Sequence, residues 1–231
     1  MDHYIVIGVS TGIGRALVEK LLEHGKIVYG IGRNNSIKHK NYEFLKLDLS
    51  DVEVVSNFRL PSINQSFALI YNAGVLGEIL PLTQQTEHNA QHVFQVNYLS
   101  AVNLCQKALN LEYCQQLLFI SSGAAKRAIP SWSQYCASKA ALDIFAQTLY
   151  LELQQKERKC RVFSIAPGVV DTPMQTFIRS CNETDFPQVE HFRNLHTNRE
   201  LTSPKNVAEK LFFISQNPEK FQDVCFSLRE V

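Results

Sequence analysis

The chain lacks any marked excess of charge: 23 Lys and Arg residues face 22 Asp and Glu, a formal net charge of +1. Such a balance exerts no broad attraction on phosphate backbones or anionic membranes, so nucleic acid is not an expected partner. No apolar run approaches the roughly 18 to 20 consecutive residues that a membrane helix needs, and no membrane partner is expected. Residues 1–9 hold no basic leader and no small-residue cleavage site. Secretion is therefore not indicated, and the cytoplasm is the expected compartment. Six cysteines, at 105, 114, 136, 160, 181 and 225, include no CxxC pair and do not cluster with histidine. Their spacing argues against zinc and against a disulfide framework, so six free thiols and no metal are expected. His24, His88 and His92 have no acidic or cysteine partners at ligand spacing and read as structural or solvated. Internal repeats and low-complexity tracts are missing as well.

What is present suffices for one well-buried domain, 231 residues with 45% hydrophobic and 19% charged content. Apolar and amphipathic periodicity predicts strand 4–9, helix 12–24, strands 27–32 and 44–47, a short helix at 51–57, and strand 68–71. The alternation continues through helix 89–111, strand 116–121, helix 133–156, strand 161–166, helix 203–216 and strand 224–228. Strands that are apolar almost throughout, such as Leu117-Leu118-Phe119-Ile120, fit a parallel sheet covered on both faces. The expected fold class is α/β, a Rossmann-type doubly wound seven-stranded parallel sheet in a single domain, residues 1–231. Segment 172–203 carries no strand signal and mixes Phe177, Phe186, His191, Phe192, Arg193 and His196. It reads as a lid shaping a substrate pocket, or else as a packed helical insertion with no ligand role.

Directly after the first strand stands Gly8-Val9-Ser10-Thr11-Gly12-Ile13-Gly14, followed by a helix. Glycines here permit a tight turn and close approach of backbone to a pyrophosphate, while the helix N-terminus offers N–H groups and positive dipole. Ser10 and Thr11 add hydroxyl donors. At the end of the second strand, where NAD-selective enzymes place a carboxylate, the chain reads Gly30-Ile31-Gly32-Arg33-Asn34. A guanidinium pairs with a ribose 2′-phosphate that a carboxylate would repel, so NADP(H) is expected. The alternative is a solvated Arg33 and NAD(H). Asp48 is placed to accept from an adenine amino group, or to cap the helix ahead of Asp51.

Tyr135 and Lys139 are four residues apart in a predicted helix and project from one face. A neighbouring ammonium should favour phenolate and lower the tyrosine pKa from its reference near about 10. Ser122 closes the preceding buried strand, where its hydroxyl can donate to a developing alkoxide. Asn72-Ala73-Gly74 follows the fourth strand and Pro167-Gly168 the sixth.

Together these residues resemble the short-chain dehydrogenase/reductase family over essentially the whole chain, from Gly8 to the final strand. The resemblance implies an oxidoreductase acting on CH–OH and C=O groups, with Ser122, Tyr135, Lys139 and Asn97 catalytic. Tyr135 would exchange the proton, Lys139 bind the nicotinamide ribose, Ser122 orient the carbonyl, and Asn97 anchor a water linking lysine to solvent. The implied cofactor-binding set adds Gly8, Ser10, Thr11, Gly12, Ile13, Gly14, Arg33, Asp48 and Leu49 to Tyr135 and Lys139. It continues with Asn72, Ala73 and Gly74, then Pro167, Gly168, Val170 and Thr172. Ile7 and Tyr71 depart from the family's usual threonine and asparagine, the second departure implying a packing adjustment. Within the family the resemblance is closest to the branch holding sepiapterin reductase and bacterial benzil reductase. It rests on Ser121-Ser122-Gly123-Ala124-Ala125, residues 130–139, residues 167–175 and lid residues Ile178-Arg179-Ser180, Asp185-Phe186 and His191-Phe192-Arg193. That branch reduces one carbonyl of a vicinal dicarbonyl with NADPH. Cys225-Phe226-Ser227-Leu228 offers no carboxylate for a pterin, which shifts the expectation toward an apolar or aromatic diketone. Trp132, Met174 and Phe177 are pocket walls or ordinary core. Cys136 reads as a packing residue. A homodimer through helices 89–111 and 133–156 is expected, and a non-catalytic NADP(H)-binding regulator is the alternative function.

Overall fold

The computed structural model describes residues 1–231. Seven strands, β1 (His3–Ile7), β2 (Ile27–Gly32), β3 (Tyr42–Lys46), β4 (Phe67–Tyr71), β5 (Cys114–Ile120), β6 (Arg161–Ala166) and β7 (Cys225–Ser227), form one sheet in the order β3-β2-β1-β4-β5-β6-β7. Every neighbouring pair is parallel. Strand alternation explains why both faces are apolar. Ile5, Ile7, Leu69, Tyr71, Leu117 and Phe119 share one buried cluster, whereas Tyr4, Val6, Ala68, Ile70, Leu118 and Ile120 share the other. A pleated strand sends successive side chains to opposite faces, so a continuous apolar run is what a doubly covered parallel sheet requires.

The first face is covered by α4 (Ser100–Leu109) and α5 (Ser133–Gln155), through residues such as Leu104, Ala108, Leu142 and Ala146. Helices α1 (Gly12–Glu23) and α8 (Pro204–Gln216) cover the second, through Leu17, Leu21, Val207 and Leu211. The expected doubly wound, seven-stranded architecture is therefore present. No helix is long and apolar enough to cross a membrane.

Two expectations need correction, and the form of a third segment is now defined. The predicted helix 89–111 is instead α3 (Glu87–Phe94), a π turn (Gln95–Leu99) and α4, because the chain widens by one residue around Asn97. Strand β7 has only three residues, and a 3-10 turn (Leu228–Glu230) follows it. Segment 172–203 holds two helices, α6 (Pro173–Arg179) and α7 (Val189–Thr197).

Both ends of that segment meet at one point. Val170 and Thr202 form an isolated parallel bridge, with Asp171 N–H donating to Thr202 O at 2.9 Å and Thr202 N–H to Val169 O at 3.0 Å. The enclosed helices bury Ile178, Phe186, Val189 and Phe192 in a third apolar cluster with Leu76, Ile129, Trp132 and Tyr135. This helical pair is a packed insertion that also borders the sheet-edge cavity.

The order reverses between β1 and β4: chain connections run outward through β2 and β3 on one side, then return to place β4 on the other. In such sheets ligands bind at the carboxyl ends of the strands flanking that reversal.

Candidate active site

A single cavity of about 530 Å³ opens there, lined by residues from the ends of β1, β2, β4, β5 and β6. One part of its floor is the glycine turn. Gly8 has φ +91°, and a Cβ on it would come within 2.6 Å of Ala73 N. A Cβ on Gly14 would meet Gly8 O at 2.0 Å and the Asn72 amide nitrogen at 2.4 Å. Asn72 Nδ2 donates to Gly8 O at 2.7 Å, so Asn72-Ala73-Gly74 locks the turn from the neighbouring strand. Thr11 is the N-cap of α1 but forms no capping hydrogen bond, and no acid occupies the first turn. The helix thus presents unpaired N–H groups and its positive end to the cavity, a fit for a diphosphate.

Ser10 lines the cavity. Its hydroxyl donates to Asn34 O at 2.9 Å, tying the turn to the loop after β2 rather than standing free. That loop carries Arg33, exposed at the cavity wall and outside every ion pair. Asp48 also lines the wall but caps nothing. Asp51 is the N-cap of α2 (Val52–Asn57), accepting from Val54 N–H at 3.0 Å. The Asp48 carboxylate accepts from Ser50 at 2.7 and 3.0 Å, which lowers its pKa, as do nearby Arg33 and His92. His92, read above as structural or solvated, lines this end of the cavity. Leu49 is buried beside Asp48, Ile13 lies in the first turn of α1, and Val170 is buried at the bridge.

The opposite wall gathers Ser122, Tyr135 and Lys139. Ser122 follows β5 and is the N-cap of a 3-10 turn (Gly123–Ala125), its Oγ accepting from Ala124 N–H at 3.1 Å. Tyr135 and Lys139 are buried on one stripe of α5, and Asp143 continues that stripe one turn later. Lys139 Nζ donates to Ile120 O at 2.8 Å and lies 5.9 Å from the Tyr135 ring centroid. Burial lowers its pKa to about 8, opposed by the Asp143 carboxylate. Sequence reading missed Asp143, although its spacing from Lys139 repeats that of Lys139 from Tyr135. Its carboxylate accepts from Ser164 Oγ at 2.7 Å.

The Tyr135 phenol is pushed up from its ordinary value, contrary to the lowering expected from Lys139. Desolvation is the largest cause, offset in part by hydrogen bonding with Ser122. Removal of the phenol from water thus outweighs the groups around it that favour the phenolate.

Asn97 is fully buried in the π turn. Its Oδ1 accepts from Val75 N–H at 2.8 Å, and its Nδ2 donates to Val75 O at 2.8 Å and Ser138 Oγ at 3.0 Å. Gly74 separates it from the lysine: a Cβ there would lie 3.3 Å from Lys139 Nζ and 3.5 Å from Asn97 Oδ1. Tyr71 accounts for one departure noted above. It is fully buried, and its hydroxyl donates to Val96 O within the π turn, so the adjustment is a hydrogen bond supporting the segment that carries Asn97.

The remaining walls come from the segment after β6. Pro167, Gly168 and Thr172 line the cavity, and the Thr172 methyl would stand 3.1 Å from a Cβ on Gly12. Trp132 both lines the cavity and stacks on Phe186 at 5.4 Å, meeting the Tyr135 ring edge-on at 5.6 Å. Met174 lines the cavity, whereas Phe177 is exposed and belongs to neither wall nor core. Cys136 is partly buried against the lid cluster, its thiol donating to Arg127 O at 3.8 Å.

The pattern of the family described as short chain dehydrogenase matches residues 2–183. Benzil reductase ((S)-benzoin forming) of Bacillus subtilis (strain 168) is 33% identical over 223 residues, which span 91% of this chain and 92% of that protein. Sepiapterin reductase of Rattus norvegicus is 28% identical, with 92% and 90% of the two chains covered. The crystal structure of a short-chain dehydrogenase/reductase from Saccharomyces cerevisiae superposes with a TM-score of 0.88 at 26% identity, covering 98% of this chain and 96% of that one.

Replacing Tyr71 by Phe leaves the Val96 carbonyl buried without its partner. The expected cost is about 1–3 kcal/mol of unfolding free energy, measured by urea titration, with a loss of turnover larger than that of a surface control.

Proposed function

This chain belongs to the short-chain dehydrogenase family and is an oxidoreductase acting on CH–OH and C=O groups; from that premise we propose that it is an NADPH-dependent carbonyl reductase. The substrate class is a ketone or vicinal dicarbonyl of benzil-like or sepiapterin-like kind. The observation that carries the reading is the convergence of Ser122, Tyr135 and Lys139 on the cavity that also contains the glycine turn. The relatives named benzil reductase and sepiapterin reductase support the substrate class.

The glycine turn with Ser10, Thr11, Gly12, Ile13 and Gly14 would hold the diphosphate, Arg33 the 2′-phosphate, and Asp48 with Leu49 the adenine. Asn72, Ala73, Gly74 and Lys139 would border the ribose, while Pro167, Gly168, Val170 and Thr172 take the carboxamide. A nicotinamide dinucleotide, when bound, supplies hydride chemistry that no side chain has. Tyr135 and Ser122 hold the substrate carbonyl oxygen. Raised by burial, the phenol keeps its proton through the neutral range and gives it to that oxygen as negative charge develops. Lys139, fixed by the Ile120 carbonyl, holds positive charge beside the phenolate that remains. Asn97, joined to Ser138 and flanking Gly74, keeps the strand-end backbone open for the lysine. Segment 172–203 closes the cavity on the substrate side as a lid.

The protein acts as a homodimer in this reading. Leu99, Ile144 and Leu151 are 51%, 63% and 61% exposed. Ile144 and Leu151, two turns apart on α5, form a stripe that a second copy would cover.

Four outcomes check the proposal. Tyr135→Phe lowers kcat for benzil by roughly 10³-fold, far more than it weakens NADPH in a fluorescence titration; equal turnover would remove Tyr135 from the chemistry. In the free enzyme, kcat/KM for reduction falls as pH rises through about 8, where Lys139 loses its proton. The sign follows because the lysine is cationic only below its lowered pKa. Arg33→Ala weakens NADPH by about tenfold or more and leaves NADH little changed, read by the two Kd values. Size-exclusion with light scattering gives twice the chain mass, and Ile144→Glu shifts it to the monomer.

A further inference from the structure

Charge around the cavity is one-sided. Asp48 is the only carboxylate in its lining, and it stands with Arg33 and His92 at the adenine end. Arg127 and Arg229 line the remainder with no acid near them in that lining. Five ion pairs exist in the chain, using Arg15, Lys20, Lys26, Arg179 and Arg193, and neither Arg127 nor Arg229 takes part. Their only hydrogen bonds to protein involve main-chain atoms: Arg127 O accepts from Cys136, and Arg229 N donates to Ser227 Oγ.

Arg229 is held in place by an ordered turn. Strand β7 pairs Ser227 with Ala166, the residue immediately before Pro167-Gly168. Ser227 caps the 3-10 turn in a reciprocal arrangement with Glu230, and Leu228 is buried in the second core cluster. Lys210 Nζ donates to both Leu228 O and Val231 O at 2.7 Å. The outcome of these contacts is a guanidinium whose Nε lies 3.5 Å from the place a Cβ on Gly168 would take. Arg127 follows the Ser122 turn, and its carbonyl is bonded to the residue after Tyr135.

We propose that Arg229 and Arg127 recognise an anionic oxygen group, and that the substrate is a carbonyl compound bearing a carboxylate. The inference rests on the carbonyl-reductase reading and narrows its substrate class. Guanidinium forms paired, charge-assisted hydrogen bonds with carboxylate. Two unneutralised cations in a cleft also raise the local concentration of anions. Pocket apolarity and this charge are compatible: Trp132, Ile129, Ile178 and Met174 cover the substrate's carbon body while the guanidinium groups take its charged end.

The NADPH-loaded protein is assayed with benzil and with benzil-4-carboxylate. The expected ratio of kcat/KM, acid over neutral, is about tenfold. It falls at least about fivefold in Arg229→Gln or Arg127→Gln and shrinks with added salt, as screening requires. A ratio near one in the wild type, or a ratio untouched by both substitutions, overturns the proposal. Equal losses for both substrates, with weaker NADPH binding in a titration without substrate, assign the guanidinium groups to the cofactor's phosphates and likewise overturn it. Turnover of neither diketone defeats the reductase reading instead. The anion site is then decided by thermal shift of the NADPH-loaded protein, expected to be larger with the acid than with benzil and reduced in both variants; equal shifts overturn it.

Discussion

A cation buried in the interior sets the terms for everything around it. Lys139 is removed from water almost completely, and moving an ammonium there costs several kcal/mol unless polar partners replace its hydration. The fold supplies two such partners and leaves space on a third side. Ile120 O, at the carboxyl end of β5, accepts a hydrogen bond from it, and Asp143 opposes the desolvation from one turn along α5. Gly74, lacking a side chain, leaves room on the third side. Each partner constrains a further element: β5 must end at Ile120, α5 must dock with its polar stripe inward, and the strand-end backbone after β4 must stay open. Asn97 completes this last constraint by bonding both polar groups of Val75.

How much of this was legible in the sequence depends on whether a residue acts through a local pattern or through packing. The sheet was legible because continuous apolar runs have one comfortable environment, and the glycine turn because its spacing sits between a strand and a helix. Tyr135 and Lys139 were legible because four-residue spacing is a helical repeat. Asp143 obeyed the same repeat but was overlooked, since a carboxylate on a helix is ordinarily a solvated charge. The π turn left no trace, because its extra residue is stabilised by Tyr71 from another strand. The direction of the phenol's pKa was read wrongly for a related reason: spacing shows that a cation is near, whereas burial, which dominates, is a property of the assembled pocket.

The aromatic wall of the cavity is built on different physics from the wall that carries Lys139. Trp132, Phe186 and Phe192 stack at ring separations of 5.4 to 5.6 Å and join the lid helices to the edge of Tyr135. Ser131, with φ +68°, donates its hydroxyl to Asp185 O at 2.6 Å and reinforces that junction. A non-glycine residue held at positive φ carries backbone strain. Here it lies next to Trp132, where the chain turns into α5, so segment 172–203 and the start of α5 share one rigid corner.

The bridge between Val170 and Thr202 has a consequence for how such a protein diversifies. Excursion 172–203 leaves and rejoins the body of the molecule at a single hydrogen-bonded neck. Closing a longer loop over the same neck adds only about 0.6 kcal/mol per doubling of length. Insertions or exchanges within the excursion can therefore alter the shape offered to a substrate without disturbing strand register below, and the same chemical machinery can be fitted with a different mouth.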